Sequence, residues 1–221
     1  MDDLDMSGEL LIDTLDRIAQ INRWLGGNRL TLSGLAEILK EHSKEKVYKI
    51  VDLGCGNGDM LRAIADFGKR KSWQFELIGV DANQATIDHA EQLSKDYKGI
   101  VFYKQDVFSE SFKELNFDIA LSTLFMHHFD DDVAIGLVQN LMKRASIGVL
   151  VNDLQRNAIA YYLFTIIATV IGNPMVKTDG LISILRGYKR SDLEKYAQQV
   201  GYPSSIKWKW AFRFQWIIKK R

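Results

Sequence analysis

Three glycines within five residues, at positions 54, 56 and 58, constrain the fold of this chain more than any other feature. They follow an apolar, β-branched run, Val47-Tyr-Lys-Ile-Val51, and lead into a helix-like segment over residues 60–67. Glycine admits backbone conformations that a Cβ forbids, and it lets a ligand approach the main chain closely. A second strand-like run, Phe75-Glu-Leu-Ile-Gly-Val80, then ends in Asp81. A carboxylate at the end of the second strand of an α/β unit is placed to accept hydrogen bonds from both ribose hydroxyls. Strand, glycine turn, helix, strand and acid together read as a nucleoside site.

The spacing narrows down which kind. A dinucleotide fingerprint, G-x-G-x-x-G, would put its third glycine where Asp59 stands. The chain instead reads D-x-G-x-G-x-G from Asp52 to Gly58. That pattern resembles the first motif of the class I S-adenosylmethionine (SAM)-dependent methyltransferases and disfavours a nucleotide-dependent dehydrogenase. The resemblance covers residues 47–219 and implies SAM as cofactor. It implies that Gly54, Cys55, Gly56, Asn57 and Gly58 underlie the methionyl part, that Asp52 helps hold the amino group, and that Asp81 binds the ribose. Asp106, closing Val101-Phe-Tyr-Lys-Gln-Asp106, stands where the family's adenine-contacting acid falls. Ala82, Val107 and Thr123 go with these as implied cofactor contacts. The family tolerates many residues at the Cys55 position, so this thiol reads as loop packing rather than as a nucleophile.

Strand and helix patterns alternate around the loop. Strands are expected at 47–53, 74–80, 100–105, 117–122 and 146–152, and helices at 59–70, 84–96 and 131–144. Such alternation predicts a parallel sheet with helices on both faces. Ahead of it, Leu11, Leu15, Ile18, Ile21 and Leu25 fall near helical spacing, with Ser7 as cap and Gly26-Gly27 as stop. A shorter helix is expected from Ser33 to about Glu41. After the fifth strand an apolar insertion fills 156–188, and Ser191-Asp-Leu-Glu194 is a capping box that opens a helix to Val200. From Ile206 to Ile218 every even position but none other carries a large apolar residue until Ile217, the period of a strand. The run is too long for one ordinary strand; it is split near Ala211, matching the terminal hairpin of the class I family. The expected architecture is a Rossmann-like, doubly wound α/β domain whose seven-stranded sheet is mostly parallel with an antiparallel C-terminal strand. Its parts are an N-terminal helical cap (1–46), a SAM-binding core (47–155), an acceptor-site insertion (156–190) and a C-terminal helix and hairpin (191–221).

Composition narrows the partners. A formal net charge of +1 offers no global attraction to nucleic acid or to an anionic bilayer. Lys207, Lys209 and Arg213 alternate with the terminal aromatics; they read as a solvated basic back behind a core-facing aromatic row, against a nucleic-acid surface. The single cysteine forms no intrachain disulfide, which fits a reducing, cytoplasmic setting. Residues 1–5 are acidic and lack the layout of a signal peptide. Residues 158–172 run without a charge but fall short of the roughly 20 apolar residues a span needs, and Asn173-Pro174 ends the run. A buried or cap helix is expected there rather than stable membrane insertion, and contact with a membrane surface stays open. No side-chain cluster has the spacing of metal ligands, so no metal is expected.

Methyl transfer from a sulfonium is an in-line displacement, so the protein's main task is to align the acceptor atom. An oxygen acceptor must also lose a proton, and histidine titrates in the useful range. His127 and His128 follow the fourth strand, at the carboxyl edge where such sheets bind ligands. Either is a candidate base or a wall of the cofactor pocket. Asn152-Asp153 follows the fifth strand, where an acid can orient substrate or a base, or be a loop carboxylate or helix cap. His42 and His89, in charged helical surroundings, read as surface residues. Tyr161, Tyr162, Arg186 and Tyr188 are candidate acceptor contacts, with Arg156, because the family commonly builds its acceptor pocket from this insertion. Residues 22–27 resemble a segment that closes over SAM in some bacterial small-molecule methyltransferases, where Arg23 would meet the SAM carboxylate. No Asn/Asp-Pro-Pro-Tyr/Phe step follows the fourth strand, which disfavours DNA, RNA and protein glutamine as acceptors. The expected activity is methyl transfer to an oxygen, ahead of carbon or nitrogen, of a small apolar or aromatic metabolite of the secondary-metabolism kind, by a chain that can form a homodimer. The alternatives are a non-catalytic SAM-fold binding protein and a methyltransferase acting on RNA or protein.

Overall fold

Five strands, β1 (Val47–Leu53), β2 (Gln74–Asp81), β3 (Ile100–Lys104), β4 (Ile119–Thr123) and β5 (Gly148–Leu154), form the parallel part of the sheet in the computed structural model, which describes residues 6–220. The acidic residues 1–5 lie outside the described residues. A hairpin of β6 (Ser204–Lys209) and β7 (Arg213–Lys219) completes the order β3-β2-β1-β4-β5-β7-β6, with β7 antiparallel to both neighbours. The order reverses between β1 and β4, and ligands of doubly wound sheets bind outside the strand ends at such a switch point. This is the seven-stranded, mostly parallel sheet expected from the alternation.

Both faces of the sheet are covered, which is why its central strands are apolar in continuous runs. Helices α6 (Asp131–Arg144) and α9 (Arg190–Val200) lie over one face, whose core includes Val51, Leu53, Val149, Phe214 and Trp216. Helices α2 (Gly27–Leu39), α3 (Asp59–Lys71) and α4 (Gln84–Ser94) pack with Ile50, Leu121, Leu150 and Ile217 on the other. Above the carboxyl edge lie α1 (Glu9–Trp24), α7 (Ala158–Ile171) and α8 (Pro174–Arg186). A Cβ at Gly180 of α8 would fall 2.3 Å from the Phe164 ring of α7, so that glycine lets the two helices close together.

Several local expectations are corrected. Gly8, not Ser7, precedes the first turn of α1 and gives no side-chain cap. Helix α2 begins at Gly27, six residues before Ser33, because Gly26 turns the chain in the left-handed region (φ 80°) and a new helix starts at once. A one-turn helix, α5 (Glu110–Lys113), follows β3 unforeseen. The capping contact of α9 falls on Lys189, whose backbone N–H donates to Asp192 Oδ2 at 2.8 Å, rather than on Ser191. In the hairpin the aromatic row faces the core only from Phe214 onward: Trp208 and Trp210 are largely exposed. Nor is its basic back solvated throughout. Lys207 pairs with Glu37 at 2.8 Å, and Arg213 is buried because α2 covers that face of β7. Of α7, only Ala160 and Ala168 are buried, so the charge-free run is a cap helix. No helix among the described residues is long and apolar enough to cross a membrane.

Candidate functional site

The glycine loop joins β1 to α3. Gly54 has φ +62°, and a Cβ there would strike the Phe125 ring at 2.2 Å, so both backbone angle and packing require glycine. Gly56 (φ +52°) differs: a Cβ there would meet only Leu15, at 3.9 Å, leaving the main chain open to a ligand. Its N–H donates to Asp81 Oδ2 at 3.2 Å, and Asn83 N–H donates to Asp81 Oδ1 at 3.1 Å, which ties the loop to the end of β2. Asp52 is 2% exposed and its Oδ1 has no hydrogen-bond partner among the described residues. Burial, then the charges of Asp59 and Asp81, push its carboxyl well above the usual range. Burial also raises Asp59 and Asp81. The Cys55 thiol is pushed well up by burial and by Asp81 and Asp52, so it stays protonated and unreactive.

Helix α1 closes over this edge. Asn57 Nδ2 donates to Asp16 Oδ1 at 2.9 Å, and the same oxygen lies 2.8 Å from His89 Nε2. His89, read from sequence as a surface residue, is therefore a clasp between α4 and α1, its side chain only 10% exposed. Asn22 donates to Asn28 at 2.7 Å and Asn28 to Asp59 at 2.9 Å, carrying the contact from α1 through α2 to α3. Asp106 is exposed and caps its own turn, accepting from Phe108 N–H at 2.9 Å. Ala82 lies partly exposed beside Asp81, while Val107 is buried in the core. Thr123 Oγ1 lies 3.4 Å from Thr31 Oγ1. Asp52, buried beside an open glycine backbone with an idle oxygen, has the charges of Asp59 and Asp81 acting on it and no cation among the described residues to offset them. A ligand with an ammonium and a sulfonium, as SAM has, fits that deficit.

Beyond β4 and β5 lies a largely apolar cavity of about 340 Å³, walled by α1, α7, α8 and the turn of the terminal hairpin. A single 3₁₀ turn, Met126–His128, brings both His127 and His128 to its wall. His127 Nδ1 lies 2.7 Å from Asp153 Oδ1, and its backbone N–H donates to Asp153 Oδ2 at 3.2 Å. Leu154 N–H donates to Asp153 Oδ1 at 2.7 Å. Burial opposes the charged form of each partner, yet their attraction wins: His127 titrates above its ordinary value and Asp153 below. A carboxylate on Nδ1 fixes Nδ1–H in the neutral ring and leaves Nε2 as the acceptor. That Nε2 is buried and without a partner among the described residues.

None of the five insertion residues picked from the sequence lines this cavity, and Arg156 pairs instead with Asp192 at 2.9 Å. Tyr162 is 69% exposed, with Tyr161 edge-on to it; Arg186 is exposed. Tyr188 is buried against Tyr196, and burial raises its hydroxyl far above the usual range. The walls are instead Ile18, Asn22, Leu163, Phe164 and, at the start of β7, Arg213. Arg213 is the residue that sequence reasoning misplaced. Its signal was an arginine inside an otherwise apolar strand, Arg213-Phe-Gln-Trp-Ile-Ile218, with polar neighbours only on its own face.

A family model described as a methyltransferase domain matches residues 44–160, more than half of the chain. The chain belongs to this family of methyltransferase domains, and its glycine loop and acids carry the resemblance to the SAM-dependent members. It is 35% identical over 82 residues to the carboxy-S-adenosyl-L-methionine synthase of a Nitratiruptor species, a match covering 37% of this chain and 32% of that protein. The chain thus spans about a third of the length of that curated relative. Its fold is similar to that of the plantazolicin methyltransferase BpumL in complex with S-adenosylhomocysteine (SAH), with a TM-score of 0.71 at 16% identity over 94% of this chain and 89% of that one. Magnesium protoporphyrin IX methyltransferase from Synechocystis PCC 6803, with bound SAM, gives 0.58 at 14% identity over 91% and 84%.

Proposed function

We propose that the chain transfers a methyl group to an oxygen, ahead of carbon or nitrogen, of a small and largely apolar metabolite held in the cavity beneath α7 and α8. The observation that carries this reading is the buried His127–Asp153 pair at the cavity wall, with Nε2 of His127 left as the free acceptor. SAM supplies an activated methyl group. Asp52 would take its ammonium, Asp81 its ribose hydroxyls, and Gly56 the close approach of its methionyl chain. Asp106 would contact the adenine. His127 Nε2 accepts the proton of the acceptor hydroxyl, and Asp153 keeps the ring in the tautomer that can do so and stabilises the imidazolium that results. His128 shares the wall, its ring 4.4 Å from that of His127. Helix α1 and the insertion supply apolar walls beside the reacting groups.

Because Asp153 raises His127, the neutral form that can accept a proton grows in as pH rises through a value above 6.5. The rate at low acceptor concentration therefore rises with pH through that range. The near-neutral net charge and the Lys207–Glu37 pair speak for a small molecule over nucleic acid as the acceptor. Calorimetric titration with SAH, with NADH as control, comes first, followed by a methylation screen of phenols, quinols and apolar acids. Binding of SAH alone, with methylated oxygen found in the products and lost in His127→Ala, is the expected result. Full turnover by both His127→Ala and His128→Ala on the true acceptor would remove the general-base role.

A further inference from the structure

The apolar cavity has one charged side chain sunk into its wall that the fold leaves unpartnered. Arg213 is 3% exposed, and its Nε and Nη1 have no hydrogen-bond partner among the described residues. The acid that acts on it is Asp153, whose oxygens already receive His127 Nδ1 and Leu154 N–H on Oδ1 and His127 N–H on Oδ2. Asn22 Oδ1, also in the cavity wall, is buried and equally without a partner. The two groups converge beside Gly27: a Cβ there would lie 1.9 Å from Asn22 Oδ1 and 2.9 Å from Arg213 Nη1. Glycine at 27 is thus what makes room for both.

A guanidinium taken out of water with idle donors is costly, and an arginine kept only for packing would be matched by an acid of its own. The one acid that acts on it, Asp153, is already balanced by His127. The planar fork of N–H donors matches the two oxygens of a carboxylate, and the wall is mostly apolar, with Gln155, Asp179 and Ser183 among its few other polar members. We propose that Arg213 anchors the carboxylate of an apolar carboxylic acid in this cavity, with Asn22 accepting from a neighbouring hydroxyl or amide of the same molecule. That this acid is the methyl acceptor rests on the function proposed above; that it binds does not.

The probes are octanoate and 1-octanol, titrated by calorimetry into the full chain saturated with SAH. The acid is expected to bind saturably and at least about tenfold tighter than the alcohol, the scale of one charge-assisted hydrogen bond. Arg213→Met, similar in length and uncharged, is expected to lose that preference while keeping its SAH affinity. Equal binding of acid and alcohol by the unmodified chain, or no saturable octanoate binding, overturns the proposal. So does a preference that survives in Arg213→Met, or a loss of SAH affinity there, which would give the anchor to the cofactor's own carboxylate. Should Arg213→Met fail to fold, the wild-type contrast decides alone, with Arg213→Lys expected to weaken octanoate but not SAH. Octanoate bound but not methylated leaves this site standing, whereas methylation of neutral acceptors with no preference for acids removes the acid as methyl acceptor and spares the proposed function.

Discussion

Two buried aspartates stand at the same edge of the sheet and are used in opposite ways. Asp52, near the end of β1, is 2% exposed; Asp153, near the end of β5, is 1% exposed. Burial alone would raise both. Asp153 nevertheless titrates below its ordinary value, because His127 and two backbone N–H groups give it donors and a countercharge. Asp52 has an unpartnered oxygen and two acids for neighbours, and it titrates well above. The donors around a buried carboxylate, not the burial, set its charge. One of these sites is completed by the chain itself; the other keeps an unpartnered oxygen, which the proposed function gives to the ammonium of SAM.

The sharpest break of that contrast comes from Asp153→Ala. Removing one partner of a buried ion pair costs about 3–5 kcal/mol, because the other is left without its countercharge. Chemical denaturation near neutral pH is expected to show a loss of that size, together with loss of turnover. The pH dependence carries a signature. Asp153 is lowered, so its contribution is present above about pH 3.8 and is lost as pH falls through its folded value. His127 is raised, so its contribution is present below pH 6.5 and is lost as pH rises through its folded value. The pair therefore stabilises the fold most between those limits, and Asp153→Ala should flatten the profile there. A variant as stable as the parent throughout would mean that the pair is not formed.

Asp52→Asn tests the other side, with the opposite sign. An acid raised by burial and repulsion contributes stability present below pH 3.8 and lost as pH rises through its folded value. The ligand-free variant is therefore expected to be as stable as the parent or more so at neutral pH. Its affinity for SAH should fall by about 1.5–3 kcal/mol, the worth of a hydrogen bond to a charged group. For the parent, SAH affinity should strengthen as Asp52 ionises above the usual carboxylate range, and that dependence should vanish in the variant. Asp81→Ala belongs between the two aspartates. It loses the ribose contacts and also the Gly56 tether, so weaker SAH binding of about 1–3 kcal/mol is expected. Unchanged affinity would sink the ribose assignment.

The glycine-loop edge was far more legible in the sequence than the lining of the cavity, and the reason is physical. The glycine loop, Asp52 and Asp81 lie in one stretch, and local backbone demands dictate them: a left-handed turn, a close approach, a strand end. The strands followed because β-branched apolar runs declare themselves, and β1 was expected at the residues it occupies. The cavity is assembled from α1, the turn after β4, two insertion helices and the start of β7, segments separated by most of the chain. Its lining depends on which faces meet, and period alone does not settle that. The insertion tyrosines were the obvious polar spots in an apolar stretch, yet exposure or core packing took them. Arg213 obeyed the alternation of the strand but not the inference drawn from it, since β7 is an interior strand with α2 across its second face. Asp153 was legible as an acid at a strand end, while its bond to His127 required the fold.

The smallest effect belongs to Asp106, and it sharpens the contrast by adding an acid that is neither buried nor starved of donors. It is exposed and already accepts from Phe108 N–H at 2.9 Å, so an adenine contact would use its second oxygen in competition with water. Such a bond is worth only about 0.5–1.5 kcal/mol net. Asp106→Ala is accordingly expected to weaken SAH binding by a few-fold to about tenfold. A carboxylate can meet adenine only at its exocyclic amine on this edge, so SAH should be compared with its inosine analogue, whose oxo group cannot donate. The parent should prefer SAH, and Asp106→Ala should bind both alike, a coupling that a general loosening of the turn after β3 would not produce. Equal weakening toward both ligands would make Asp106 a turn residue and leave recognition of the adenine to the backbone around Val107.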